Sequence, residues 1–117
     1  MAWNHTQQTT IQVTSSALAR GAYSSDPTAH SVTDTVGGIE IVADASIGQY
    51  FSISNSGPDP VYCRFGGVAT SSVFSVIFPP GFNDNEMRVA ANENVTVITA
   101  AGETAEILVN IAPEVQI

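Results

Sequence analysis

Short runs of alternating hydrophobic and polar residues dominate the chain. In the segments TIQVT and GIEIVAD, apolar side chains occupy every second position, with Glu40 between Ile39 and Ile41. A period of two is typical of strands with one buried face, where β-branched residues are enriched. Gly, Pro, Asn or Asp bounds almost every run, which predicts about eight strands. We therefore expect an all-β fold, either a single-domain β-sandwich or a jelly-roll-like barrel.

Residues 51–65, FSISNSGPDPVYCRF, predict two amphipathic strands joined by a turn. Apolar residues alternate with serines before the loop NSGPDP, and with Tyr62 and Arg64 after it. Asn, Asp, Gly and Pro each favour a turn in such a loop. The expected structure is a hairpin in which Cys63 is a small buried residue and Arg64 points outward.

Residues 73–81, VFSVIFPPG, predict a strand that is apolar on both faces. Phe74 and Phe78 are expected on one face, and Val73 and Ile77 on the other. Such a strand either lies centrally between two layers or has one face buried by another subunit.

Three more strands are predicted at EMRVAA, NVTVITA and TAEILVNIA, and AAGE is expected to join the last two as a hairpin. The small residues of GGVATSS would let the backbone approach another surface closely.

The first third of the chain is less regular. Residues 15–38 mix small and polar side chains without a sustained period, which indicates a long loop or arm, with a helical turn at SSALAR as the weaker option. We therefore divide the single domain into an irregular N-terminal arm with one or two strands, residues 1–38, and an antiparallel sandwich core, residues 39–117.

Charge and composition argue against several classes of partner. Eleven acidic residues stand against three arginines and no lysine, so the net charge is −8. Nucleic acids and anionic membrane surfaces need clustered cations, so neither is expected as a partner. No apolar run approaches the ~20 residues of a membrane-spanning helix, and the start MAWNHTQQTT lacks the pattern of a signal peptide.

The candidates for chemistry are few. His5 and His30 are the only imidazoles, and we interpret both as surface histidines in polar segments. One cysteine and two histidines show no zinc-type spacing, and NDNE, residues 83–86, is read as a turn in preference to a calcium site. We expect no catalytic residue, no cofactor and no metal. Tyr50 and Tyr62 are interpreted either as a cross-strand pair or as a carbohydrate-stacking surface.

The segment ISNSGPDPVYCRFGGVATSSVFSVIFPPG, with ITAAGETAEILV after it, resembles a pattern in small tailed-phage virion proteins. In those proteins a hairpin I-x-N-x-G…PVYxRFG leads to an A-T segment, a PPG turn and a final hairpin ITAxGxTAxIxV. The likeness covers about residues 50–109. It implies an accessory structural protein similar to head decoration proteins, with a β-sandwich fold that self-associates and attaches to a capsid or tail.

From this resemblance we expect a non-enzymatic capsid decoration (cement) protein. It would be made in the host cytoplasm without a signal peptide, and would bind the outer capsid surface of the virion as a homotrimer, through the major capsid protein or another virion protein. The alternative is a carbohydrate-binding or host-adhesion module of a phage tail, with Tyr50 and Tyr62 as its ligand surface. The expected contact residues of the decoration protein are Trp3, Ile11, Val13, Val73 and Ile77, with Arg64 as an orienting cation.

Overall fold

The computed structural model describes residues 17–116, and within this range the chain forms nine β-strands and no helix. Turn residues interrupt every apolar run before a helical repeat can develop. The strands are β1 (Leu18–Arg20), β2 (Thr28–Val32), β3 (Ile39–Val42), β4 (Gln49–Pro58), β5 (Val61–Phe65), β6 (Val76–Phe78), β7 (Asn83–Val89), β8 (Val95–Ile98) and β9 (Ala105–Gln116).

The strands form two antiparallel sheets around one core. In the five-stranded sheet, β1 and β2 both pair with β9, and β4 lies between β9 and β7; the four-stranded sheet has the order β3-β8-β5-β6. From β2 onward, every connection except that between β5 and β6 passes from one sheet to the other. This alternation is the topology of a jelly roll. The expected all-β sandwich or jelly-roll-like barrel is therefore confirmed.

The core contains the inward-facing residues of both sheets. Phe51 of β4 is fully buried, and its ring centroid lies 6.0 Å from that of Phe65 on β5. Cys63 is also fully buried, as predicted, and burial raises the pKa of its thiol to about 12. Complete burial of a large apolar side chain contributes roughly 1.5–3 kcal/mol. The other members of the buried cluster are Val32, Ile41, Val42, Ile53, Val61, Phe78, Val89, Val95, Val97, Ala105, Ile107 and Val109.

The predicted hairpin between β4 and β5 is wrong. Strand β4 pairs with β7 and β9, whereas β5 pairs with β6 and β8, so NSGPDP is a corner that crosses the core from one sheet to the other. The buried faces of these strands meet through the core and do not lie side by side. The hairpin predicted at AAGE is wrong for the same reason, because this turn joins β8 of one sheet to β9 of the other.

The N-terminal region is more regular than expected within its described part. Strand β1 pairs with the end of β9 and β2 with its beginning. The helical turn proposed for SSALAR is wrong at Leu18–Arg20, which is extended. Three of the expected contact residues, Trp3, Ile11 and Val13, lie outside the described residues, as does His5.

Between β1 and β2 the chain follows the edge of β9, where the backbone N–H groups of Gly21 and Ser24 donate to the carbonyls of Pro113 and Ile111. The hydroxyl of Ser24 donates to Oδ1 of Asn110 on β9 at 2.6 Å. The hydroxyl of Tyr23 donates to the backbone carbonyl of Asn85 on β7. This part of the predicted arm therefore packs against its own sheet.

Candidate interaction face

An apolar cluster lies on the outer face of β5 and β6. Tyr62 on β5 is directly opposite Ile77 on β6, and both point away from the core. The ring of Phe74 meets that of Tyr62 edge to face, with centroids 5.0 Å apart. Val73 precedes Phe74 in the same loop. We call Tyr62, Val73, Phe74 and Ile77 the β5–β6 face.

The side chains of this face remain substantially exposed. Val73 is 49% exposed, Ile77 40% and Phe74 39%. The expected outward positions of Val73 and Ile77 are confirmed, but Phe74 does not share the buried face of Phe78. The strand begins only at Val76, because a turn at residues 70–73 interrupts the alternation. Strand β6 pairs with β5 alone and is an edge strand, and the exposure of Ile77 shows that it does not lie centrally between two layers, which was one of the two alternatives.

Arg64 holds the loop between β5 and β6. Its Nη1 donates to the carbonyl of Val68 at 3.1 Å, and its guanidinium lies against Gly67, where an added Cβ would be 2.8 Å from Cζ. The ion pairs within residues 17–116 join Arg20 to Glu86 and Arg88 to Glu114, each at 2.8 Å, so Arg64 pairs with no carboxylate there. Its expected role as an orienting cation stays a prediction.

The loop lies close over the outside of β8. The backbone N–H of Ala69 donates to Oγ1 of Thr96 at 2.8 Å, and that hydroxyl donates to the carbonyl of Gly67 at 2.8 Å. Ala69 and Thr96 are consequently buried although both lie outside the core. The close approach predicted from GGVATSS is confirmed.

The segment that carries the β5–β6 face has no acidic residue, although the chain has a net charge of −8. Residues 60–83 contain no Asp or Glu, and Arg64 is their only charged side chain. Two carboxylates lie at the margins of the loop: Glu93 is beside Gly66, and Asp34 lines a cleft together with Thr70. The β5–β6 face is therefore apolar and free of acidic residues on an otherwise acidic chain.

Tyr50 and Tyr62 form neither a cross-strand pair nor a common ligand surface, so both interpretations of these residues are wrong. Tyr50 lies on β4 in the five-stranded sheet and Tyr62 on β5 in the other, so they occupy opposite sides of the sandwich. The Tyr50 hydroxyl donates to Glu114 at 3.3 Å, and Arg88 makes two hydrogen bonds to the same carboxylate, at 2.8 and 3.1 Å. These bonds hold the pKa of Glu114 below its ordinary value.

His30 is not the freely exposed histidine that the sequence predicted. It lies on β2 opposite Ile107, a core residue, so the imidazole faces the gap between the sheets. There it lines a cleft with Ile41, Val109 and Ile111. Burial against these apolar side chains lowers the pKa of His30 below its ordinary value of 6.5.

Acid is therefore expected to weaken the fold through His30. Because the folded chain binds this proton less readily than the unfolded chain, stability should fall as the pH drops below about 6.5. The Glu114 carboxylate contributes in the same direction only below its ordinary value of 4.5. We expect the urea midpoint to decrease between about pH 7.5 and about pH 5, and His30→Gln to reduce that decrease. An unchanged pH dependence in His30→Gln would contradict the assignment.

The segment NDNE does not form the expected turn, because the turn ends at Phe82 and strand β7 begins at Asn83. The carboxylate of Asp84 accepts the backbone N–H of Glu86 at 2.8 Å. Over residues 17–116, no group of three or more His, Cys, Asp or Glu side chains is placed to hold a metal ion. Nor does any helix in this range have the length and hydrophobicity to cross a membrane.

Comparisons of the chain with protein-family models, with curated proteins and with solved structures find no match. The functional argument therefore depends on the geometry of the β5–β6 face and on the charge distribution around it.

Proposed function

We propose that this chain is a capsid decoration protein, a non-enzymatic module that binds the outer surface of a virion shell and stabilises it. The observation that supports this most is the β5–β6 face, where Val73, Phe74 and Ile77 are 39–49% exposed on a small jelly roll of net charge −8. Exposed apolar patches of this kind mark protein-binding surfaces. Jelly rolls serve many functions, including capsid and lectin domains, so the proposal depends on this surface and not on the fold.

The proposed mechanism is burial of surface at the junctions between capsid subunits. A specific protein contact buries about 800 Å² on each partner, which is about a tenth of the surface of a small domain. If the protein acts as a homotrimer, three linked copies engage the lattice together, and their joint affinity exceeds that of one copy. The partners are the major capsid protein, or another virion protein, and further copies of the chain itself.

Capsids that lack the protein provide the direct test. Purified protein added to such capsids should cosediment with them, saturate at a fixed number of copies per capsid, and raise the temperature at which the shell opens. Capsids that already carry their full complement should bind no more and serve as the control. Absence of saturable binding at micromolar protein would overturn the proposed function.

A carbohydrate-binding tail module is the other class that the sequence suggested. Its ligand surface required Tyr50 and Tyr62 on one face, and they lie on different sheets, so no observation on the described residues favours it.

A further inference from the structure

The β5–β6 face combines exposure, apolar chemistry and absence of acidic residues, and these properties together indicate its occupant. We propose that a second copy of this chain docks on the β5–β6 face, so that this face holds together the oligomer that engages the capsid. The proposal deepens the proposed function by assigning one surface of the decoration protein, but self-association is measured without capsids and can fail or succeed independently.

The first argument is charge. Each copy carries a net charge of −8, so two copies repel one another over most of their surfaces. Arg20 and Arg88 are already paired with acidic side chains of the same copy. Residues 60–83 present no carboxylate, and their only charge is the cation of Arg64. Within residues 17–116 this is the longest stretch without a carboxylate, so we expect another acidic copy to approach it with less repulsion than the acidic segments beside it.

The second argument is symmetry. Around a rotation axis, side chains near the axis meet their own equivalents from the neighbouring copies. A carboxylate near the axis would lie close to the equivalent carboxylates of the neighbouring copies and be repelled by them. Apolar side chains in the same position pack favourably against one another. Tyr62, Phe74 and Ile77 satisfy this requirement, and the edge strand β6 carries Ile77 at the side of the sheet, where an axis can pass.

Arg64 has a positioning role in this arrangement. By hydrogen bonding to the carbonyl of Val68 it fixes the loop that presents Phe74 beside Tyr62. Burial of apolar surface is then expected to supply most of the free energy of association, and the net negative charge of the copies to oppose it.

A pair of matched substitutions tests the surface. Ile77→Asp places a carboxylate on the β5–β6 face, and Leu108→Asp places one at a residue of similar exposure, 44%, on the outer face of the other sheet. We expect wild-type protein to be oligomeric at micromolar concentration by sedimentation velocity, Ile77→Asp to weaken association by roughly a hundredfold, and Leu108→Asp to leave it unchanged. Equal weakening by both substitutions, or a monomeric wild type, would overturn the inference.

A second pair removes any dependence on packing, in case Ile77→Asp does not fold. Ser72 and Ser46 are both exposed, the first in the β5–β6 loop and the second between β3 and β4. Ser72→Glu should weaken association and Ser46→Glu should not.

Association of the wild type should also tighten between about 0.01 M and 0.15 M salt, because the screening length falls from ~30 to ~8 Å and the repulsion between copies falls with it. Weaker association at higher salt would contradict the charge argument.

The capsid assay separates the two proposals. A wild-type protein that self-associates through this face but does not bind capsids would overturn the decoration function and leave the docking surface standing. A wild type that binds capsids as a monomer would do the reverse.

Discussion

Replacing Asn55 by alanine is expected to lower the free energy of unfolding by about 3–5 kcal/mol. Asn55 is 1% exposed and lies where β4 enters the corner that crosses the core. Its Nδ2 donates to the carbonyls of Phe78 at 2.9 Å and Asp59 at 3.1 Å, while its Oδ1 accepts the N–H of Gly57 at 2.8 Å. Alanine would leave these backbone groups unpaired, and each buried unpaired group costs about 1–3 kcal/mol.

Urea denaturation followed by circular dichroism would measure this loss. Asn83→Ala is the matched control, because Asn83 is an exposed asparagine on the neighbouring strand β7, and its replacement should stay within about 0.5 kcal/mol of the wild type. Asn55→Asp keeps an acceptor for Gly57 but turns a carboxylate oxygen towards two carbonyls, so it should destabilise at least as strongly. A loss below about 1 kcal/mol in Asn55→Ala would show that the corner is held by other contacts.

The role of Asn55 shows why the sequence predicted strands well and their partners poorly. A strand with one buried face shows alternating apolar and polar residues, and this alternation can be read from the segment itself, as at Ile39–Val42 and Val61–Phe65. Which strand pairs with which depends on contacts far apart in the chain. The turn residues of NSGPDP suit a hairpin and a corner between sheets equally. One of the two partners of β4 is the twelve-residue strand β9, about fifty residues further along.

The β5–β6 face was predictable in part, because alternation along one segment shows which residues share a face. Val73 and Ile77 stood out because they were apolar on the side of their run opposite Phe78, and their exposure is confirmed. Phe74 was missed, because strict alternation was carried back through a segment that turns at residues 70–73. A better signal was the Thr-Ser-Ser sequence before Val73, since hydroxyl side chains bond nearby backbone in turns. The separation of Tyr50 from Tyr62 followed directly from the wrong pairing of β4 with β5.

Gly38→Ala is expected to destabilise the protein by about 3 kcal/mol. Gly38 precedes β3, where the chain passes from the five-stranded to the four-stranded sheet, and has a φ of 63°. The left-handed conformation disfavours any residue with a Cβ by about 1–2 kcal/mol. In addition, a Cβ here would lie 2.4 Å from the backbone carbonyl oxygen of Val97. A backbone atom within the sheet cannot move aside as a flexible side chain can.

Gly102→Ala separates these two causes. Gly102 has a φ of 78° and no atom within 4 Å of an added Cβ, so its replacement should cost only the conformational part, about 1 kcal/mol. Chemical denaturation of both variants gives the comparison, and the excess in Gly38→Ala measures the contact with β8. Equal losses in the two variants would mean that the β2–β3 connection shifts away from Val97 without further penalty, and that this crossing between the sheets is not fixed by close packing.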